Sequence, residues 1–211
     1  MKFVLQLKHW QIFVITFALP FFLYLVAIVV MMATVFANVN SPNPLEAFSL
    51  GQFGLLGLVA LVWIAALVTT VSWVFNVATG LYRKLPPGNP MKIRRFYFAF
   101  FYPMVYAIVV WSVMLVFISQ ANTMEAKGDA QGFPMFLAYI PFLFIFHFGA
   151  IACLFYIIYF IAKSLKSVEL QREALAKDYT AEFVLIWFSF IGIWFIQPRI
   201  NEIFSEGSVE S

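Results

Sequence analysis

The chain has 211 residues, 64% of them hydrophobic and 11% charged, with 27 Phe, 6 Trp, 9 Tyr and a net charge of +3. A soluble domain carries roughly 45–50% apolar and about 25% charged residues, and one of this length has no interior large enough to hide so much apolar surface. Soluble globular, disordered and disulfide-rich secreted classes are excluded; an all-α, polytopic membrane helical bundle is what remains.

The charges define the elements. No Asp, Glu, Lys or Arg occurs from His9 to Leu45, Ala47 to Tyr82, Phe96 to Met124 or Ala130 to Ala162, and a fifth gap runs from Phe183 to Pro198. A crossing of a hydrocarbon core needs about 20 apolar residues, so each of the first four gaps holds one span, near 12–37, 54–80, 97–119 and 135–161. These are helices and not barrel strands, because Ile12–Ala37 is apolar on every face instead of alternating. Pro20, Pro103 and Pro141 fall in or near them, and each deletes a backbone donor and is expected to bend its helix. The first apolar run, about 26 residues, exceeds the roughly 7–15 of a signal-peptide core, so it is expected to stay as a signal anchor.

Basic residues set the orientation. Lys2 and Lys8 precede the first span, Arg83, Lys84, Lys92, Arg94 and Arg95 lie between the second and third, and Lys163, Lys166, Arg172 and Lys177 follow the fourth. The opposite connections hold Lys127 with Glu46, Glu125 and Asp129. The positive-inside rule then puts the N-terminus and both basic loops in the cytoplasm, which points to a bacterial inner membrane. Bases beside helix ends suit anionic lipid headgroups and offer no nucleic-acid interface.

After the fourth span, residues 163–182 read as an amphipathic cytoplasmic helix, with Leu165, Val168, Leu175 and Tyr179 near one face. Glu169–Arg172 and Glu173–Lys177 are at ion-pair spacing. The apolar segment Phe183–Ile196 follows, within a short hydrophobic element at 183–198 and before a polar tail at 199–211 that closes this single membrane domain. Fourteen helical residues reach about 21 Å, short of a core of roughly 30 Å. The segment is therefore re-entrant or interfacial, with Gly192 as a place to break, or else a fifth span helped by bilayer thinning. A hairpin puts Glu182 and Arg199 at one depth, where they can pair; a span puts them on opposite faces.

The run Ala162–Arg172, with Glu182-Phe183 and Ile193–Asn201, resembles the C-terminal part of an uncharacterised family of small multi-pass membrane proteins of Bacteroidota, and the Lys84-Leu85-Pro86 loop is similar too. The resemblance covers about the last 50 residues and implies no activity. Members carry Pro near position 190, where this chain has Phe190.

Catalytic motifs are missing: there is no His-Glu-x-x-His, Gly-x-Ser-x-Gly or phosphate-binding loop. Cys153 is a mid-span packing residue. No cofactor or metal is expected, since His9 and His147 lie at different depths and cannot share a haem. His147 is the one intramembrane ionisable candidate. In the second span Gly51, Gly54, Gly57 and Ala60 form a small-residue face. Asn76 and Thr79 are expected to join Glu182, Gln197 and Arg199 in a cytoplasm-facing polar pocket. The leading expectation is a non-enzymatic scaffold or accessory subunit, with other membrane subunits or a homo-oligomer as partners. The alternative is a small permeation or lipid-handling protein that uses the pocket.

Overall fold

The computed structural model describes residues 7–40, 50–127 and 132–205. Lys2, Glu46, Asp129 and the tail from Glu206 onward lie outside them. The described residues form six helices and no strand: α1 (His9–Ala37), α2 (Leu50–Arg83), α3 (Ile93–Lys127), α4 (Gly132–Leu170), α5 (Ala176–Trp187) and α6 (Ser189–Ser205). Four contain stretches long and apolar enough to cross a membrane, at His9–Ala37, Gly51–Arg83, Ile93–Ser119 and Pro141–Leu170. The chain is an integral membrane protein built as an all-α bundle.

α1 is not uniform. Val14–Ala18 form a π-turn, in which the Leu19 N–H reaches back five residues to the Val14 carbonyl. This wide turn falls just before Pro20, whose ring and missing N–H oppose an ordinary α-helical continuation. Pro103 and Pro141 lie inside α3 and α4.

Neighbouring helices alternate in direction, so the start of α1, the end of α2, the start of α3 and the ends of α4 and α6 share one end of the bundle. Phe96 meets Phe160 there, with ring centroids 4.9 Å apart. The core is concentrated at this end, around Val77, Leu81, Phe96, Phe160, Ile161 and Leu165. Arg83, Lys84, Lys92, Arg94, Arg95 and Lys163 gather at the same end, so we call it the basic end. Toward the other end α2 parts from α3, while α3 and α4 stay together as far as Tyr106 and Leu143. α2 and α3 touch at few positions, chiefly where Phe75 packs against Phe96, Tyr97 and Phe100 at 5.2–6.5 Å.

The segment after Ala162 departs from expectation. Residues 163–182 are not one helix: α4 ends at Leu170, Gln171 adopts a positive φ of 50°, and α5 begins at Ala176. The turn is closed by Ser167 Oγ accepting from the Ala174 N–H at 3.1 Å and by Gln171 Nε2 donating to the Val168 carbonyl at 2.7 Å. Breaking the helix there removes the spacing that favoured Glu169–Arg172 and Glu173–Lys177. The charges pair instead as Lys163–Glu173 at 2.8 Å, Arg172–Asp178 at 3.0 Å and Lys166–Glu169 at 3.1 Å.

The apolar segment 183–198 is also divided. The chain turns at Phe188 (φ −89°, ψ 55°), whose carbonyl accepts from Ile191 and Gly192 to start α6. Gly192 is therefore not the break. It is the point of close approach between α5 and α6: a Cβ there would lie 1.7 Å from the Leu185 carbonyl oxygen. Nor is 199–211 a tail from its start, because α6 continues to Ser205. Ile193, Ile196, Gln197 and Ile200 recur at helical spacing and are buried against the bundle. The α5–α6 hairpin thus plugs the basic end, with Trp187 stacked on Phe155 at 4.3 Å and Trp194 between His9 and Phe13 at 4.7 and 5.5 Å.

Candidate functional site

Where the hairpin's two ends meet the bundle, the buried polar groups converge. Glu182, 4% exposed, comes from the inward face of α5. Its Oε1 accepts from Arg199 of α6 at 3.0 Å and faces Lys166 Nζ of α4 at 3.2 Å. Arg199 also grips Glu169 through two hydrogen bonds of 2.6 Å, from Nε and Nη2 to the two carboxylate oxygens. Two acids and two bases from three helices therefore neutralise one another, which a buried charge requires. Burial works against the Arg199 charge, yet Glu169 and then Glu182 outweigh it and hold its pKa above the ordinary value. Glu182 Oε2 is buried without a hydrogen-bond partner among the described residues.

A second buried layer lies beside this one. Gln197 accepts from Trp73 Nε1 at 2.6 Å and donates to the Leu7 carbonyl at 3.0 Å and to Asn201 Oδ1 at 2.8 Å. Asn201 donates to the same carbonyl at 3.3 Å. These bonds tie α6 to α2 and to the start of α1. Lys84 closes the far end, donating to the Ile203 carbonyl at 2.5 Å, where a cation suits the negative terminus of α6. Between these groups a cleft of about 620 Å³ opens, where Lys84, Glu169, Gln171, Arg199 and Glu202 stand beside the apolar Val168 and Ile203.

The five residues expected to share a pocket are distributed as follows. Glu182 and Arg199 meet directly, and Gln197 occupies the adjoining layer. Asn76 and Thr79 bond along their own helix, to the Ser72 carbonyl at 2.7 Å and the Phe75 carbonyl at 2.7 Å. Glu169, Lys166, Trp73 and Asn201 complete the cluster. Of these, sequence spacing singled out Glu169 alone, and with a different partner. His147 is elsewhere, exposed on α4 with Nδ1 3.3 Å from Tyr106 Oη.

Past the hairpin, the divergence of α2 and α3 leaves an apolar cavity of about 1320 Å³. Ile186, Trp187, Ser189 and Ile193 of the hairpin's bend form its floor, and α1–α4 supply the walls. Helix irregularities shape it: Thr16 and Phe17 come from the π-turn, and Pro103 lines the α3 side. The hydroxyls of its walls are already occupied. Thr16, Thr70 and Ser112 donate to the carbonyls of Ile12, Ala66 and Ile108 at 2.7–2.9 Å. The walls therefore present methyl and aromatic groups, which select an apolar occupant.

Among the described residues no group of three or more His, Cys, Asp or Glu could hold a metal ion. Fold and site together define a helical-bundle integral membrane protein with a charge-latched hairpin beneath an intramembrane cavity. Comparison with protein-family models, curated proteins and solved structures gives no match to this chain.

Proposed function

We propose that this chain is a non-enzymatic, lipid-handling protein of a bacterial cytoplasmic membrane, holding the hydrocarbon chain of a membrane lipid in the cavity between α2 and α3. The observation that carries this reading is the apolar cavity of about 1320 Å³, which exceeds the roughly 300–1,000 Å³ of ordinary small-molecule sites. Along α3 its lining runs from Phe100 to Leu115, roughly 22 Å of helix, the scale of a lipid chain and not of a compact solute. The basic end faces the cytoplasm with the N-terminus, by the positive-inside rule, and its lysines and arginines meet anionic headgroups. The hairpin enters the membrane from that side and returns to it, closing the cavity toward the cytoplasm, so that a chain enters from the bilayer.

The test is lipid retention after purification in mild detergent. Ala107→Trp fills the cavity from α3, whereas Val105→Trp places the same ring outside the cavity lining. The proposal predicts at least a tenfold loss of tightly held lipid for Ala107→Trp, with none for Val105→Trp and unchanged helical content in both. Equal retention by the two variants would overturn it.

A scaffold or accessory-subunit role is the second reading, favoured by one observation: a Cβ added at Gly54 or Gly57 would meet nothing within 4 Å. That small-residue face of α2 is open to another helix. Recovery of the chain alone, without a stoichiometric partner, from gently solubilised membranes would count against it.

A further inference from the structure

A polar pair on the α3–α4 face is unused by the lipid cavity and by the hairpin. Tyr106 Oη lies 3.3 Å from His147 Nδ1 and 3.4 Å from the Leu143 carbonyl. On a helical rise of about 1.5 Å per residue, Tyr106 is roughly 17 Å along α3 from Arg95, and His147 roughly 24 Å along α4 from Lys163. With a hydrocarbon core of about 30 Å, both side chains lie within it. Polar groups at such depth ordinarily face a bundle interior or a watery cavity. Here His147 is exposed, between Phe144 and Phe148, themselves 59% and 65% exposed.

The hydrogen-bond chemistry says what completes it. Tyr106 has one hydroxyl proton for two acceptors, the Leu143 carbonyl and Nδ1; in the tautomer in which Nδ1 receives it, the imidazole N–H is on Nε2. Nε2 then has a proton to give, with no acceptor among the described residues, and Tyr106 Oη keeps lone pairs to receive one. In that tautomer one donor and one acceptor stand side by side at a single depth, so the pair is complementary to its own copy.

We propose that this face is the interface with a second copy of the chain, related by a twofold axis along the membrane normal. His147 Nε2–H donates to the partner's Tyr106, and the partner's His147 donates to Tyr106. An isologous contact needs a self-complementary patch. Because the basic residues fix the same insertion for both copies, only an axis along the normal brings equal depths together. Another subunit would need its own matching donor and acceptor at this depth; a second copy supplies both.

The experiment measures self-association of the full-length chain in liposomes by energy transfer, as lipid dilutes the protein. His147→Phe and Tyr106→Phe each remove both symmetric bonds and are expected to weaken association about tenfold or more. Both are read beside helical content and lipid retention, which the proposal leaves unchanged. In a Cys153→Ala background, Phe144→Cys is expected to cross-link to its own copy, and Gly57→Cys on α2 is not. A monomer at all dilutions, a dimer insensitive to His147→Phe, or cross-linking through Gly57→Cys alone overturns the proposal. Loss of lipid retention in Ala107→Trp with dimerisation intact bears on the cavity only.

Discussion

Gly192→Ala should open the hairpin. The added Cβ would lie 1.7 Å from the Leu185 carbonyl oxygen and 2.4 Å from the carbonyl carbon, whereas ordinary contact begins at 3.4 Å. The obstacle is backbone, so no rotamer change relieves it. α5 and α6 must separate by about 1.7 Å (3.4 minus 1.7) or the turn at Phe188 must re-form. A displacement of that size exceeds the margin that keeps Arg199 on Glu182 at 3.0 Å. It also loosens Ile186 and Ile193, which line the floor of the cavity. Overpacking a tight site costs about 1–3 kcal/mol, occasionally more, and the upper part of that range is expected because the clash is with backbone. The assay is thermal unfolding in detergent, with protease susceptibility of residues 171–175 and 188–189 as the local readout. Gly57→Ala is the control, since its Cβ meets nothing within 4 Å. The prediction is a clear fall in Tm and faster hairpin cleavage for Gly192→Ala with neither for Gly57→Ala. Matching behaviour of the two variants would refute the close-approach argument.

Three further outcomes follow from the latch and its neighbours. Arg199→Ala strips Glu182 and Glu169 of a shared partner and is expected to cost about 3 kcal/mol in unfolding, the lower end for breaking a buried pair because Arg199 is partly exposed. Arg199→Lys should recover part of that loss, and an Ala variant as stable as the parent would contradict the latch. Trp73→Phe removes the donor to Gln197 and should cost about 1–3 kcal/mol, where an unchanged Tm would show that this bond does not hold α6. Asp178 has its pKa lowered from the ordinary 3.8 by the Leu175 N–H and then by Arg172. Its contact at the start of α5 therefore stabilises fully above that value and is lost as pH falls through the lower folded-state pKa. A nitroxide at Lys177→Cys (Cys153→Ala background) should gain mobility on acidification below pH 3.8, and Asp178→Asn should show that mobility already at pH 6; a pH-independent signal in the parent would contradict this.

The legible part of the architecture was the part that charge controls. A lysine or arginine cannot sit in the hydrocarbon core cheaply, so gaps between charges delimit α1–α4 with little ambiguity. The same logic made Glu182 and Arg199 a conditional pair: they meet only if the chain turns back between them. The turn itself was hidden, because Phe188 carries no sequence mark of a break, being neither Pro nor Gly. Gly192 drew attention as the residue most permissive of a turn, whereas its lack of a side chain serves packing between α5 and α6. The break at Gln171 was hidden for the same reason: a positive φ at Gln leaves no trace in hydrophobic periodicity. Glu169 is the instructive residue. Helical spacing paired it with Arg172, but ending α4 at Leu170 frees it for Arg199, thirty residues on. The cavity was least legible, because in a helix apolar on all sides no pattern separates a lipid-facing residue from one lining an interior space. Trp73 was likewise an ordinary span residue until α6 was folded against α2, where it meets Gln197, already a pocket candidate from the sequence.

Both the latch and the floor of the cavity require α6 to return to the side from which α5 starts. Accessibility of a single cysteine at Ser205→Cys, in a Cys153→Ala background, tests that requirement directly in sealed membrane vesicles of known sidedness. Labelling by a membrane-impermeant maleimide only from the cytoplasmic face, with Arg199→Lys leaving the pattern intact, is the predicted result. Labelling only from the opposite face would make residues 183–198 a fifth span, separate Arg199 from Glu182 by the thickness of the membrane, and contradict the account.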